Sequence, residues 1–375
     1  MIKVDLCKPD LTIKEIDIIK KIFLDGSISH GKYVPLLEKK FSSMLGVKHS
    51  IAVNSCTSGL YCLALYYKKL LKSGEVLVPS FTWNASVNSI KNAGLTPVFL
   101  DINKKTLDVD LSEIKKKTTP KTIGLMIVHY AGRINQQIKE ISYFAKKKKL
   151  FLIEDCAETL NTEIDKKKSG SYGHGVFSFY GTKNITCGEG GIITTSSEEI
   201  NQWIRTFIAH GVVKNSFGEN PYPWNRNSVI PGQNLRLSNL QAGIAYVQAK
   251  RLGSMQKKRI TIAKQYYSSL SKLKDFIFIP KKLKKKQNSF QMFPIIIKDQ
   301  KLRNSFVRYL NLNNIGASVH FDPPVHKQTA YNLAGIKLDQ TEKLSSEIVT
   351  LPMSAVQTKL QTEYVIKKIE NFFKL

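Results

Sequence analysis

An α/β layer fold is predicted by two observations. Over the first two-thirds of the chain, short apolar runs alternate with stretches whose apolar residues recur at helical spacing, the pattern of strands and covering helices. From about Leu240 this gives way to LQAGIAYVQAKRLGSMQKKRITIAKQYYSSL, apolar at helical spacing throughout. That stretch predicts one long helix, or two end to end, bridging to a second and smaller α/β unit. We expect a large unit over 1–250 and a small C-terminal unit over 251–375.

Seven strands are expected in the large unit: His49 to Val53, Val76 to Val78, Pro97 to Leu100, Leu125 to Val128, Leu150 to Ile153, Val176 to Phe179 and Gly191 to Thr194. Helical runs such as Thr57 to Leu71 and Asn84 to Ala93 separate the early ones. In the small unit the pattern predicts a strand from Phe290 to Ile297, a helix from Gln300 to Leu310, a strand from Ala317 to His320 and a closing helix from Thr362 to Phe373.

At 375 residues and 42% hydrophobic, the chain can bury a large core. Its five cysteines are odd in number and show neither CxxC pairs nor zinc-ligand spacing, so neither a disulfide framework nor a metal site is expected and a reducing cytoplasm fits. The charged start MIKVDLCKPDLTIKEID has no apolar core of signal-peptide length, and no later run approaches a membrane span. The expectation is a soluble, unprocessed protein without membrane insertion. A net charge of +28 and a pI near 9.7 are a known footprint of nucleic-acid binding. Here, however, the lysines form separate runs at 115–117, 146–149, 166–168 and 281–286, without interleaved arginines or aromatics. They read as solvated faces and no nucleic-acid partner is expected. The positive field would still draw in an anionic substrate.

In open α/β sheets ligands bind beyond the carboxyl ends of the strands, and the residues found there are chemically coherent. Asn54-Ser55-Cys56-Thr57-Ser58-Gly59 leads from the first strand into a helix whose free N–H groups and dipole make an anion site. Trp83 offers an aromatic face after the second strand, His129 follows the fourth, and Glu154-Asp155 the fifth. Lys183 lies in FSFYGTKNITCGEGG, between the sixth strand and the tight turn Gly188-Glu189-Gly190-Gly191. A lone lysine is ordinarily a solvated residue. One held between two core strands can lose its proton and attack a carbonyl to form a Schiff base. A phosphate cradle, an aromatic platform, a buried acid and a lysine are the parts needed to hold pyridoxal phosphate. Lys183 would fix the aldehyde carbon, and the amides of Thr57 and Ser58 with the Ser178 hydroxyl would bind the phosphate. Trp83 would stack on the ring, and Asp155 would keep the ring nitrogen protonated so that the ring acts as an electron sink.

The same residues carry a resemblance to the DegT/DnrJ/EryC1/StrS family of pyridoxal-phosphate sugar aminotransferases. It rests on GSISHGKYVPLLEKKF from Gly26, NSCTSGL from Asn54, VPSFTWNASVNSI from Val78, FLIEDCAETL from Phe151, FSFYGTKNITCGEGG from Phe177, GQNLRLSNLQAGIA from Gly232 and VHFDPPVHKQTAY from Val319. These run nearly end to end in one order, with 28 residues from Asp155 to Lys183. The resemblance implies the type I, aspartate aminotransferase-like fold, with a seven-stranded, mostly parallel sheet. It places Lys183 on the Schiff-base lysine, Asp155 on the acid at the ring nitrogen, Ser178, Thr57 and Ser58 on the phosphate, and Trp83 on the stacking aromatic. Glu158 falls where the family sets a polar residue near the ring hydroxyl. Asn234 matches an asparagine that reaches the neighbouring subunit's phosphate, which implies a homodimer with shared active sites. The chain departs from the family at Cys56, where glycine is usual, and at Tyr180, where many relatives have histidine.

The implied reaction is ping-pong transamination from L-glutamate to a nucleotide-linked keto sugar, a 4-keto-6-deoxy hexose, for amino-sugar biosynthesis of the surface-polysaccharide or O-antigen kind. Arg236 and His320 are candidates to grip the diphosphate, and the loop from Ser216 to Val229 to line the sugar pocket. One alternative is a dehydratase of the same fold using pyridoxamine phosphate. In those relatives histidine stands at the lysine position, which Lys183 argues against. The other is a non-enzymatic basic protein that binds polyanions, which would need a contiguous basic face.

Overall fold

The computed structural model describes residues 2–213, 227–331 and 335–374. Strands β1 (His49–Val53), β2 (Glu75–Pro79), β3 (Thr96–Leu100), β4 (Thr122–Val128) and β5 (Phe151–Asp155) come first. A two-stranded hairpin of β6 (Glu163–Ile164) and β7 (Lys167–Lys168) follows, then β8 (His174–Ser178) and β9 (Gly191–Thr195). All but the hairpin form one seven-stranded sheet in the order β1-β9-β8-β5-β4-β2-β3. Only β9 runs against its neighbours; the other pairs are parallel. The seven expected strands are these seven, each within a few residues of its expected ends.

Strands β5 and β9 are buried along their whole length, which is why they read as continuous apolar runs rather than alternating ones. Helix Cys56–Leu71 covers one face, burying Leu60, Leu63 and Ala64. It lies close because Gly59 has no side chain: a Cβ there would stand 2.6 Å from Val176 Cγ1. The other face is covered by helices Tyr33–Leu45 and Asn239–Leu270. There Phe41 meets Phe177 and Phe179 edge-on, with centroids 6.0 and 5.4 Å away. Val176 and Phe177 thus face opposite layers, as the strand period of two requires.

Helix Asn239–Leu270 is continuous over 32 residues, and position 250 falls inside it. Beyond it, β10 (Ile277–Phe278), β11 (Phe293–Ile297) and β12 (Ile348–Leu351) form an antiparallel sheet in that order. Helices Gln300–Leu312 and Lys359–Lys374 pack with it. Two expectations need correction here. The segment 317–320 is not a strand but makes a single bridge, Ser318 to Thr350; the third strand is β12, Ile348-Val349-Thr350-Leu351, which follows a helix directly with no turn residue to mark its start. The strand expected from Phe290 starts at Phe293, because Phe290 has a left-handed backbone (φ 51°) that ends pairing there. The N-terminal segment also packs here, with Val4 bridged to Ile315 and Met353 N–H donating to Leu6 O. Among the described residues, no helix is long and apolar enough to cross a membrane.

Candidate active site

Sheet register gathers the strand ends. Val128 on β4 pairs with Asp155 on β5, and Asp155 with Val176 on β8. Gly191 on β9 lies between Val53 of β1 and Ser178 of β8. The segments that leave β1, β2, β4, β5 and β8 therefore share one edge.

Lys183 lies in the connection from β8 to β9, and that loop is pinned from outside. Gln291 Nε2 and the Cys7 thiol both donate to Thr182 O, at 2.7 and 2.9 Å. Asn184 Nδ2 donates to Ser289 O at 3.0 Å. The lysine side chain is 18% exposed, and its Nζ stands 3.6 Å from Glu158 Oε1. Glu158 is held in turn by the Ala131 N–H, which donates to Oε2 at 2.9 Å. Lys183, Glu158 and Ser178 line one pocket with Ala157 and Thr159.

Asp155 is buried at the end of β5. Ser86 Oγ donates to Oδ2 at 2.6 Å and Ala157 N–H to Oδ1 at 3.0 Å; Ser86 Oγ lies 2.8 Å from Thr82 Oγ1. Among the described residues no cationic group pairs with this carboxylate. Burial raises its pKa, and the hydrogen bonds from Ser86 and Ala157 pull the other way. Ser86 and Thr82 were not singled out from the sequence. Thr82 lies just before Trp83 and Ser86 in the first turn of the helix Asn84–Asn92, and this cluster of small polar residues was the signal available.

At the anion end, Ser55 caps the helix: its Oγ accepts from Ser58 N–H at 3.1 Å. Ser58 has thus spent its N–H on the cap, while Thr57, exposed in the first turn, has no intrahelical partner for its own. Cys56 turns into the core, with Sγ 3.8 Å from Val176 O, and burial pushes its thiol well up. The extra side chain therefore leaves the outer face of the loop unobstructed. Gly191 explains how this helix start reaches the strand ends: a Cβ there would stand 2.6 Å from Cys56 N. The glycine turn serves the helix start first. Ser178 Oγ, beside it, accepts from Tyr180 N–H at 3.2 Å.

Trp83 is 64% exposed, its ring 6.3 Å from that of Phe321. Its segment is clamped from the C-terminal unit: Ser80 Oγ lies 2.6 Å from His326 Nδ1 and accepts the His326 N–H at 3.0 Å, while His326 Nε2 lies 3.1 Å from Glu342 Oε1. This buried clamp was not read from the sequence, because its members lie 246 residues apart. His320 is half-buried, with Nδ1 2.9 Å from Thr350 Oγ1. Burial lowers its pKa; the charge of Glu158 opposes that and the charge of Lys183 reinforces it, so His320 lies in the field of that pair. Asn234 is exposed and Arg236 half-buried, on a segment that bridges Ala209 and Val53 and whose Leu235 O accepts from Asn54 N–H at 2.8 Å. Both therefore flank the anion loop. Most of the expected sugar loop, 216–226, lies outside the described residues.

His129 and Glu154 have a structural role. His129 Nδ1 accepts the Asn135 N–H at 3.1 Å, so Nε2 carries the proton it gives to Glu154 Oε2 at 3.0 Å. The Glu154 oxygens also accept from the N–H groups of Gly170, Tyr172 and Gly173. With Cys156 nearby these three residues could resemble a metal cluster, but four donors already fill the carboxylate's lone pairs.

The donor set suits pyridoxal phosphate. An amine faces the pocket, a buried carboxylate lacks the cation that a protonated ring nitrogen would supply, and a helix start beside Ser178 offers a free N–H to a phosphate.

A profile of the DegT/DnrJ/EryC1/StrS aminotransferase family matches residues 9–370. The chain is 34% identical over 326 residues to the spore coat polysaccharide biosynthesis protein SpsC of Bacillus subtilis, spanning 85% of this chain and 82% of that one. It superposes on a DegT DnrJ EryC1 StrS aminotransferase from Brucella abortus with a TM-score of 0.85 at 27% identity, covering 96% of this chain and 95% of that one. On Helicobacter pylori PseC, an aminotransferase of pseudoaminic acid biosynthesis, the TM-score is 0.93 at 23% identity over the whole of both chains, a likeness of fold. The chain belongs to the DegT/DnrJ/EryC1/StrS family and is a pyridoxal-phosphate-dependent aminotransferase of the type I fold.

Proposed function

We propose that the enzyme moves an amino group from L-glutamate to a nucleotide-linked keto sugar, a 4-keto-6-deoxy hexose, for a surface polysaccharide, in the cytoplasm and as a homodimer. The observation that carries the site assignment is the pairing of Lys183, which lines the pocket, with a buried Asp155 whose carboxylate forms no ion pair among the described residues. The relationship to a polysaccharide biosynthesis protein supports the sugar substrate and the polysaccharide role.

When bound, pyridoxal phosphate supplies an electron sink for negative charge at the donor's α-carbon. In this reading Lys183 Nζ would anchor the cofactor's aldehyde carbon and, as a free amine, would move the α-proton. Asp155 would hold the ring nitrogen protonated, and Glu158 would sit near the ring hydroxyl. Thr57 N–H, with the Ser58 and Ser178 hydroxyls, would take the phosphate; Trp83 would cover the ring face. Asn234, exposed beside the anion loop, extends to the neighbouring subunit's phosphate. Arg236 and His320 meet the sugar diphosphate. In this reading the chain divides into units near residue 250, and residues 289–291 and 326 of the second would support the loop of Lys183 and the segment of Trp83.

Purified enzyme, incubated with glutamate and a panel of keto sugar nucleotides, is expected to yield an amino sugar and 2-oxoglutarate, read by mass. A product that has lost a hydroxyl without gaining nitrogen would make it a dehydratase instead.

A further inference from the structure

Lysine runs far apart in sequence meet on one surface. The β6–β7 hairpin carries Lys166 to Lys168, and the loop 281–286 carries five more lysines. Glu163 joins the two: its N–H donates to Lys286 O at 2.8 Å, and its carboxylate pairs with Lys168 at 2.5 Å and with Lys286 at 2.9 Å. A third element adds to them. Lys139, in helix Ile138–Lys147, pairs with Asp165 at the hairpin tip at 3.1 Å. One turn further along that helix is Tyr143, 71% exposed, with exposed Lys146 and Lys147 on the same face. Excluding those last two, nine lysines in these segments stand against the carboxylates of Glu140, Glu163 and Asp165. The runs expected to be separate solvated faces are therefore partly one face.

The chemistry of this face selects its partner. Lysines on flexible stems attract a diffuse anionic surface additively, without demanding any fixed geometry. Sequence-reading nucleic-acid sites favour arginine forks, and single-strand sites line up several aromatic platforms. Here Arg133, which donates to Lys281 O at 3.1 Å, is buried. The rings of Tyr172 and Tyr267 lie under Lys167 and Lys282, at 4.5 and 5.9 Å. The exposed ring is Tyr143, and tyrosine is a side chain suited to the headgroup level of a bilayer. We propose that this face docks the enzyme peripherally on anionic phospholipid headgroups. None of its lysines lines the active-site pocket, so docking and catalysis are separable.

The test is co-sedimentation of the intact enzyme with vesicles of equal parts phosphatidylglycerol and phosphatidylcholine, over a range of salt. Binding is expected, weakening as salt rises and absent on phosphatidylcholine alone. The triple variant Lys166→Glu, Lys284→Glu, Lys285→Glu should bind roughly tenfold more weakly or worse, with transaminase activity unchanged. An equal change of charge elsewhere, Lys115→Glu, Lys116→Glu, Lys121→Glu, should weaken binding much less. Equal loss in the two triple variants would show that overall charge alone acts and would overturn the assigned face. Capture of a single-stranded RNA more tightly than the vesicles, lost in the first variant, would overturn the lipid partner. No vesicle binding at low salt would overturn the proposal outright.

Discussion

Burial holds the Asp155 carboxyl above its ordinary range; the Ser86 hydroxyl, the Ala157 N–H and the more distant charge of Lys183 oppose that, and Glu158 adds to it. A carboxylate whose folded pKa is raised costs the cofactor-free protein stability as pH climbs from the ordinary carboxylate range through the raised value. A protonated ring nitrogen would remove that cost. Asp155→Asn is therefore expected to raise the melting temperature of the cofactor-free enzyme at neutral pH, while weakening cofactor binding on the order of thirtyfold or more. Thermal melts with and without pyridoxal phosphate read both effects; a variant melting lower in both states would contradict the assignment. Asp155 was legible in the sequence as the last residue of an apolar strand, and Lys183 as the lysine in the connection between two such strands. Ser86 and Thr82, which orient Asp155, were not, because a hydroxyl in a helix start looks like an ordinary cap.

Two element junctions build the site, and both depend on contacts between distant segments. The helix Cys56–Leu71 reaches the strand ends only because Gly191 lacks a side chain, the nearest atom to a Cβ being the backbone N of Cys56 at 2.6 Å. Gly191→Ala forces backbone apart and is expected to cost about 2 kcal/mol, measured by denaturant unfolding. It should also weaken cofactor binding through the displaced anion loop; a neutral variant would mean that the helix start is not held by this contact. The second junction is the clamp of Ser80, His326 and Glu342. Burial pushes the Glu342 carboxyl up, but the Leu338 N–H, His326 and Lys327 outweigh it and bring it down to about 2. Its contribution is present above the ordinary value of 4.5 and is lost as pH falls through about 2. Glu342→Gln should therefore flatten the loss of stability across that acid window, which melts at stepped pH would show. The seven strands were legible as short apolar runs set between helical stretches, and the long helix from its periodicity. The strand β12 and the clamp were not, since β12 follows the helix Asp339–Glu347 with no turn residue between them and a pairing over 246 residues leaves no local trace.

At the scale of the whole molecule, the fold sets an α/β sheet edge against segments of the C-terminal unit, and the family membership follows from the full length of the chain rather than from one motif. Sequence order alone could not show that the hairpin and the loop 281–286 share a surface, because Glu163 joins them across 123 residues. The proposed dimer has a direct consequence. If Asn234 completes the neighbour's site, Lys183→Ala and Asn234→Ala enzymes, each impaired, should complement when mixed and allowed to exchange subunits. With half the dimers mixed and one intact site in each, activity should approach about one quarter of the unmodified enzyme. No recovery despite exchange would place Asn234 in its own subunit's site.

The central claim is that one lysine, in a chain with 57 lysines and arginines, is the covalent seat of the cofactor. Borohydride reduction of the cofactor-loaded enzyme, followed by proteolysis and mass spectrometry, tests this directly. The account predicts a single phosphopyridoxyl adduct on Lys183 and none in Lys183→Ala. An adduct on another lysine, or none at all from a loaded enzyme that turns over, would contradict it.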